Sequence, residues 1–169
     1  MHFAELSLYL PHKQEKESAM KRFLILLVAT LIALGVTASE RNGDRILGVY
    51  KAVKDGSLSK VRISKIGENA YRAQIVWLES ECYPDGRLRT DHKNPDPAKR
   101  STPANEIVLI EKVNYVAADD EWKNGEVYDP TRGEKFKTVL DFTSERTLRV
   151  RGFVGPFSKS LYWEKIDEE

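Results

Sequence analysis

Hydrophobic and polar residues alternate with a period of two in several segments of this chain. Val61 and Ile63 alternate with polar neighbours, and the segments 70–77, 135–142 and 147–152 repeat the pattern. Such alternation is typical of β-strands with one buried face. No segment after residue 38 has the i, i+3, i+4, i+7 apolar spacing of a long helix. The pattern therefore predicts an all-β fold.

Turn signals rich in Gly, Pro, Asn and Asp separate the alternating segments. They predict strands at 45–52, 58–65, 70–79, 106–115, 120–123, 125–129, 135–143 and 147–154, and a closing strand at 159–166. About eight short antiparallel strands at this spacing favour a sandwich or a barrel. We expect one domain over residues 39–169, long enough to bury a core without disulfides or metals.

The segment 79–105 interrupts this regular spacing, and it is far longer than a hairpin requires. Long ordered loops are often functional or contain some structure of their own. This loop contains DHKNPDPAKR, in which Asp96 is a favourable N-cap before Pro97 at the first helical position. We therefore predict a short helical turn here, and we attribute much of the unusual composition to capping and turn formation.

The N-terminal region has the pattern of a secretory signal peptide. Two cations follow Met20, and then come the 14 apolar residues 23–36 and a small-residue cleavage site that ends at Ala38. Fourteen apolar residues are too few to span a bilayer comfortably. We predict that residues 20–38 are removed and that residues 1–19 are a miscalled upstream extension. The protein would then be periplasmic or secreted, with no stable membrane span after cleavage.

Charge and cysteine content narrow the function classes. Residues 1–38 carry four basic and three acidic side chains, so their removal from totals of 27 and 26 leaves 23 of each. Nucleic-acid binders usually concentrate a basic excess on one face, so this balance argues against a nucleic-acid partner. Cys82 is the single cysteine, which excludes an internal disulfide.

Several motifs occur in a fixed order along the chain. They are Trp77-Leu78, Asp91-x-x-Asn94-Pro95-Asp96-Pro97-x-x-Arg100, Trp122-x-x-Gly125-x-x-Tyr128-Asp129-Pro130-x-x-Gly133, Leu148-x-Val150-Arg151-Gly152-Phe153-x-Gly155, and Trp163. Together they resemble the domain of unknown function 2147 family, from Gly48 to about Lys165. The resemblance implies an exported bacterial protein with a small lipocalin-like β-barrel and no established biochemical activity.

The resemblance also implies how one end of the barrel closes. Lipocalin-like barrels often place the aromatic of an N-terminal Gly-x-Trp beneath a cation from the last strand. Here Gly48-Val49-Tyr50 stands in place of that motif, and Lys165 is the best-placed cation. We predict that Tyr50 and Lys165 are in contact at the closed end, a contact that contributes about 0.5–2 kcal/mol. We expect the long loop to lie near a rim of the barrel.

The sequence offers little for catalysis or metal binding. His92 is the only histidine after residue 38, and no local motif supports a pair with Cys82. The oxygen ligands Asp91, Asn94 and Asp96 do not have the spacing of a calcium loop. We therefore predict no catalytic residue, no metal site and no cofactor.

The remaining motif residues are candidates either for a ligand site or for structure. These candidates are Asp91, Asn94, Asp96, Arg100, Trp122, Tyr128, Asp129, Arg151 and Trp77. Asp129 is well explained by a tight turn that ends at Gly133. For Arg151 we predict a structural ion pair with Asp91, Asp96 or Asp129. Each aromatic residue, taken singly, is better explained as core than as pocket lining.

These observations favour an exported, non-enzymatic lipocalin-like barrel that binds a small apolar or amphipathic molecule. The alternative is a structural or protein-interaction module of the cell envelope with a filled barrel, whose partner would be an envelope protein. An enzyme of unknown type is the third hypothesis. An open apolar interior favours the first hypothesis, and a packed interior favours the second.

Overall fold

The computed structural model describes residues 42–167, which form a closed barrel of eight antiparallel strands. Each strand is hydrogen-bonded to the next along the chain, and the last pairs with the first. The strands are β1 (Gly48–Lys54), β2 (Ser57–Gly67), β3 (Ala70–Leu78), β4 (Val108–Val116), β5 (Glu121–Asp129), β6 (Glu134–Phe142), β7 (Thr147–Val154) and β8 (Phe157–Ile166). Short 3-10 helices are η1 (Gly43–Ile46), η2 (Pro97–Lys99) and η3 (Ala104–Glu106). The predicted all-β barrel is confirmed.

The first strand begins later than the sequence pattern predicts. Residues 45 and 46 belong to η1, and β1 starts at Gly48. The turn is set by Asn42, whose side-chain oxygen accepts a hydrogen bond from the backbone N–H of Asp44 at 2.8 Å. An N-cap of this kind satisfies a free helical N–H and competes with strand formation.

The two short strands predicted at 120–123 and 125–129 are one continuous strand, β5. The register with β6 shifts between Trp122 and Gly125, and Asn124 has a φ of 63°. Asn tolerates this left-handed conformation better than most residues. The residues that predict a turn between two strands therefore form a β-bulge within one strand.

A second bulge reverses the predicted direction of Trp77. The register between β2 and β3 shifts between Lys60 and Val61, because Val61 pairs with Ile75 whereas Lys60 pairs with Trp77. The extra residue moves Trp77 from the inner to the outer face, where its side chain is 37% exposed. The prediction that the aromatic residues belong to the core is therefore wrong for Trp77.

The connections alternate between the two ends of the barrel, as antiparallel order requires. We call the end that carries η1 the closed end; the 67–70, 116–121 and 142–147 connections lie there as well. We call the other end the loop end, because it carries the long connection 79–107 between β3 and β4. Over residues 42–167, no helix is long and apolar enough to cross a bilayer.

The core is densest at the closed end. Ile46, Tyr50, Trp122, Leu140 and Leu148 are all fully buried. Burial of one such side chain contributes about 1.5–3 kcal/mol, so these residues account for much of the stability of the barrel. Ile46 of η1 is part of this core, so tertiary packing holds the short helix in place.

Candidate functional site

Tyr50 and Lys165 are cross-strand partners where β8 closes onto β1. The Lys165 Nζ lies 5.9 Å from the centroid of the Tyr50 ring and donates a hydrogen bond to the backbone carbonyl of Arg45 at 2.8 Å. The Tyr50 hydroxyl donates to the backbone carbonyl of Ile46 at 2.8 Å. Both side chains therefore tie η1 to the strand pair that closes the barrel.

Trp122 completes the closed end. Its indole N–H donates to the carbonyl of Gly43 at 3.2 Å. The Arg45 guanidinium lies 5.3 Å from the Trp122 ring centroid and 5.0 Å from that of Phe142. Arg45 also forms an ion pair with Asp120 at 2.7 Å. Trp122 is thus a core residue that also holds η1 against the barrel. Arg45 was not predicted from the sequence, because its partners lie far along the chain.

At the loop end, Asp91 is a buried carboxylate, only 3% exposed. One of its oxygens accepts a hydrogen bond from the Tyr128 hydroxyl at 2.6 Å, and the other accepts one from the Asn94 amide at 2.6 Å. Burial first, and then the Asp91 carboxylate, raise the pKa of Tyr128 well above its ordinary value. The hydroxyl therefore stays protonated and continues to donate to Asp91.

This contact clamps the long loop to the outside of the barrel wall. The side chain of Val127 faces inward with that of its partner Phe136, so alternation places Tyr128 on the outer face of β5. The loop folds back over this face, and its Asp91 meets Tyr128 there. The buried polar cluster is fully hydrogen-bonded, which is the condition under which such a cluster stabilises a fold.

A second contact joins the loop to the turn between β5 and β6. Gly133 has a φ of +73°, and a Cβ at this position would lie 2.1 Å from the carbonyl oxygen of Lys93. The Lys93 ammonium donates to the carbonyl of Thr131 at 2.7 Å. Only glycine permits both the left-handed backbone and this close approach. The motif that begins at Asp91 and the motif that ends at Gly133 therefore contact each other.

The predicted helical turn in the loop is confirmed as η2. The Asp96 side chain caps it by accepting from the N–H of Ala98 at 3.0 Å. Arg100 donates from Nε to the backbone carbonyl of Asn94 at 2.8 Å, and the Asn94 side-chain oxygen accepts from the N–H of Asp96 at 2.9 Å. Asp96 and Arg100 thus shape the loop that presents Asp91 to the barrel.

The prediction that Arg151 pairs with Asp91, Asp96 or Asp129 is wrong. Its guanidinium lies 2.8 Å from Glu121 and 3.3 Å from Asp141. These partners lie on the outer faces of β5 and β6, nearer to the closed end than the motif aspartates. The register of β7 against β6 decides this, because it pairs Arg151 with Val139 beside Asp141.

Lys54 and Asp129 meet across the mouth of the barrel at the loop end. The Lys54 ammonium lies 2.5 Å from the Asp129 carboxylate and donates to the Thr131 hydroxyl at 3.0 Å. Burial alone raises the pKa of Asp129, but hydrogen bonds from Lys54 and Thr131 outweigh it and hold the pKa below its ordinary value. The pair therefore narrows the mouth.

Beneath this pair, the inner face changes from buried to half-buried. Leu140 and Val150 are buried, whereas Val127, Phe136 and Gly152, nearer the loop end, and Leu161, the partner of Val150, retain partial exposure. A Cβ built on Gly152 would lie 3.6 Å from both Phe136 and Val127, so these three residues are neighbours on the inner face. We call Val127, Phe136, Gly152, Lys159 and Leu161 the mouth site.

The residues considered for catalysis lie apart from the mouth site. His92 is exposed, with Nδ1 3.2 Å from the carbonyl of Thr90. Cys82 is exposed and pairs with Leu88 in an isolated bridge of the long loop. Among residues 42–167, no group of His, Cys, Asp or Glu side chains is arranged to hold a metal ion.

An eight-stranded up-and-down barrel with a 3-10 helix across one end and a mouth at the other defines a small lipocalin-like protein. The chain belongs to the family described as uncharacterized protein conserved in bacteria (DUF2147), whose model matches residues 48–165. The predicted family membership is thus confirmed. No curated protein gives a significant match to the chain.

Two solved structures are similar to the barrel. Protein HP1028 from the human pathogen Helicobacter pylori, described as belonging to the lipocalin family, is 18% identical, with a TM-score of 0.59 over 73% of this chain and 84% of that one. A redesigned β-barrel is 15% identical, with a TM-score of 0.44 over 78% of this chain and 100% of that one. At 18% identity the first comparison shows a shared fold alone.

Proposed function

We propose that this protein is exported and binds a small amphipathic molecule at the mouth site. The observation that supports this most directly is the half-buried apolar inner face beneath the Lys54–Asp129 pair. An eight-stranded barrel is wide enough either to be filled by its own side chains or to hold one small ligand. In this barrel the largest buried side chains, Trp122 and Tyr50, lie toward the closed end, which supports the second arrangement at the mouth.

Several inner positions of the loop half carry small residues, which supports the proposal. The inner positions there include Ala52, Ser59 and Gly152, whereas the closed half has Tyr50 and Trp122. These small side chains occur together with half-buried Phe136 and Leu161, and the charged residues Lys54, Asp129 and Lys159 lie at the rim. Ligand sites are commonly built in this way, with few polar groups around an apolar lining.

Export is the second part of the proposal, and it rests on the sequence. The signal peptide predicted at 20–38 and the extension predicted at 1–19 lie outside the described residues. Export is supported by the order of cations, apolar residues and small residues from Met20 to Ala38. A binding protein of the periplasm or the medium would meet small amphipathic molecules that cross the envelope.

A space-filling substitution tests the binding site. Gly152→Leu should fill the mouth site and weaken binding of the neutral fluorescent probe N-phenyl-naphthylamine by about tenfold or more, equivalent to about 1.4 kcal/mol. Ser158→Leu adds the same side chain at an exposed outer-face position paired with Phe153 and should leave binding unchanged. Both variants should retain the β-sheet circular dichroism spectrum of the original protein.

Two results would contradict the binding proposal. One is a wild-type protein that binds no amphipathic probe, and the other is a Gly152→Leu variant that binds as well as Ser158→Leu. Native mass spectrometry of protein purified from the envelope would add a direct search for a retained small molecule.

A protein-interaction module remains the second candidate, because apolar side chains project at the loop end. Phe157 is 76% exposed and Val154 58% exposed at the tip of the β7–β8 hairpin. Exposed apolar residues at one place often mark an interaction surface. Crosslinking from position 157 in cells separates the two functions: an envelope protein captured there, together with failure to bind the probe, would favour the module.

A further inference from the structure

We infer that the ligand of the mouth site is an anionic amphiphile with a short apolar part, and that Lys159 binds its charged headgroup. This inference rests on the proposed function and specifies the class of ligand. The register of β8 with β7 sets the direction of Lys159.

Lys159 lies on the inner face of the barrel at the rim. It pairs with Gly152, which in turn pairs with Thr138, and directly paired residues project to the same side of a sheet. The Cβ direction of Gly152 points toward Phe136 and Val127 inside the barrel. The same alternation places Leu161 and buried Trp163 below Lys159.

The charge of Lys159 is not neutralised within the described part of the chain. The other inner-face cation at this rim, Lys54, is paired with Asp129. Lys159 has neither an ion pair nor a side-chain hydrogen bond with any residue from 42 to 167, and its side chain is exposed. Glu134 also lies at the inner rim, but it is at the start of β6, and β7 separates it from β8.

The surroundings of Lys159 match an amphiphile rather than a simple anion. Half-buried Leu161 lies below it on β8, half-buried Phe136 lies beside its partner Gly152, and exposed Phe157 and Val154 continue the apolar surface to the hairpin tip. A bound anion at the edge of such a surface would be partly desolvated, which strengthens its attraction to an ammonium. A headgroup at Lys159 would therefore leave the apolar part of the ligand against these side chains.

The depth of the site limits the apolar part. Two residues of strand separate Lys159 from Leu161, which corresponds to about 7 Å along the strand. At this level Leu161 faces buried Val150, and below it Leu148 and Trp163 are paired and buried. A short acyl chain or a single ring system fits this depth, whereas a long acyl chain would have to project from the mouth.

A comparison of octanoate with octanol tests the inference, because the two share a chain and differ in charge. Both are titrated against the protein by displacement of neutral N-phenyl-naphthylamine. We expect octanoate to bind at least about tenfold more tightly than octanol. Lys159→Gln should remove that preference, because it should weaken binding of octanoate far more than binding of octanol. Octyl sulfate should depend on Lys159 in the same way, because a lysine ammonium acts as a point charge without a fixed geometry.

Lys137→Gln is the matched control, since Lys137 pairs with Phe153 on the outer face and is also exposed. It should leave the preference for octanoate unchanged. Equal binding of octanoate and octanol, or a preference that survives Lys159→Gln, would overturn the inference while the proposed function stands. Failure of the neutral probe and of both ligands to bind would overturn the proposed function itself.

Discussion

Lys54 and Asp129 form an ion pair although they end β1 and β5, strands on opposite sides of the barrel. Three strands separate β1 from β5 in either direction around the closed sheet. The turn that follows Asp129 is held to the long loop on its other side, where Lys93 approaches Gly133. The β1–β2 hairpin, the β5–β6 turn and the long loop are thus joined by side-chain contacts, and the mouth lies between them.

A double-mutant cycle should detect this pair. Lys54→Met and Asp129→Asn should show a coupling of about 1 kcal/mol in urea unfolding, at the upper end for ion pairs because both groups are partly buried. The same cycle at the more exposed Arg87–Asp85 pair should give a coupling near zero. Additive losses at Lys54 and Asp129 would show that the pair does not hold the mouth together.

The pH dependence of stability should report on Asp129. Its pKa is held below the ordinary value in the folded protein, so the unfolded chain binds a proton at higher pH than the folded chain does. The stabilisation is therefore fully present above the unfolded pKa of about 3.9 and is lost as pH falls through the folded pKa.

Unfolding free energies of the original protein and Asp129→Asn, measured from near neutral pH down to acid, check this. The difference between them should be largest near neutral pH and should shrink below a pH of about 4. Asp55→Asn, at an exposed turn, should parallel the original protein throughout. A difference that stays constant with pH would contradict the assignment.

Removal of the Tyr128 hydroxyl should destabilise the contact between the long loop and β5. Tyr128→Phe removes a donor to the buried Asp91 carboxylate and should cost about 1–3 kcal/mol, since a buried acceptor is left with one partner fewer. Tyr162→Phe, at a side chain that is 57% exposed, should cost no more than about 0.5 kcal/mol.

Limited proteolysis offers a second measurement for the same clamp. Cleavage within 79–107 should accelerate in Tyr128→Phe and not in Tyr162→Phe, because the loop would detach more often from the wall. Equal stability and equal cleavage in the two variants would argue that the loop is held elsewhere.

Closure by Tyr50 and Lys165 should appear as a coupling of about 0.5–2 kcal/mol between Tyr50→Leu and Lys165→Met. Tyr50→Phe keeps the ring and should preserve most of that coupling, although it loses the hydrogen bond to Ile46. Strictly additive losses would mean that the ring–ammonium contact contributes nothing beyond the packing of η1.

Processing of the N-terminus can be tested in a bacterial host that exports the full chain. N-terminal sequencing should show that the mature protein begins at or near Ser39. Leu27→Arg interrupts the apolar stretch, so this variant should accumulate as uncleaved precursor. Met1→Ala should leave the yield unchanged if Met20 is the true start. An intact Met1 on exported protein would contradict the predicted extension.

Strand positions could be predicted because alternation is a local property of each segment. In β7, for example, Leu148 and Val150 are buried and alternate with Arg149 and Arg151, as a strand with one buried face requires. The bulges at Trp77 and Asn124 could not be predicted, since an extra residue in one strand is defined only by its pairing with the neighbouring strand.

The sequence by itself determined the all-β class, the helical turn capped by Asp96 and the candidate status of Asp91, Asn94 and Tyr128. Only the tertiary structure decided their partners. The cap depends on residues within one turn, whereas the Tyr128–Asp91 and Lys54–Asp129 contacts join positions far apart in the chain.

At the proposed ligand site, the role of Lys159 likewise follows from the tertiary structure and not from the sequence. As one lysine among many, it has no distinguishing signal in the sequence. The register that pairs it with Gly152 turns it toward the mouth, and closure of the barrel places Phe136 and Val127 beside that space. Which side chains meet follows from how the strands pair and close, and that is settled by packing over the whole barrel rather than by local sequence.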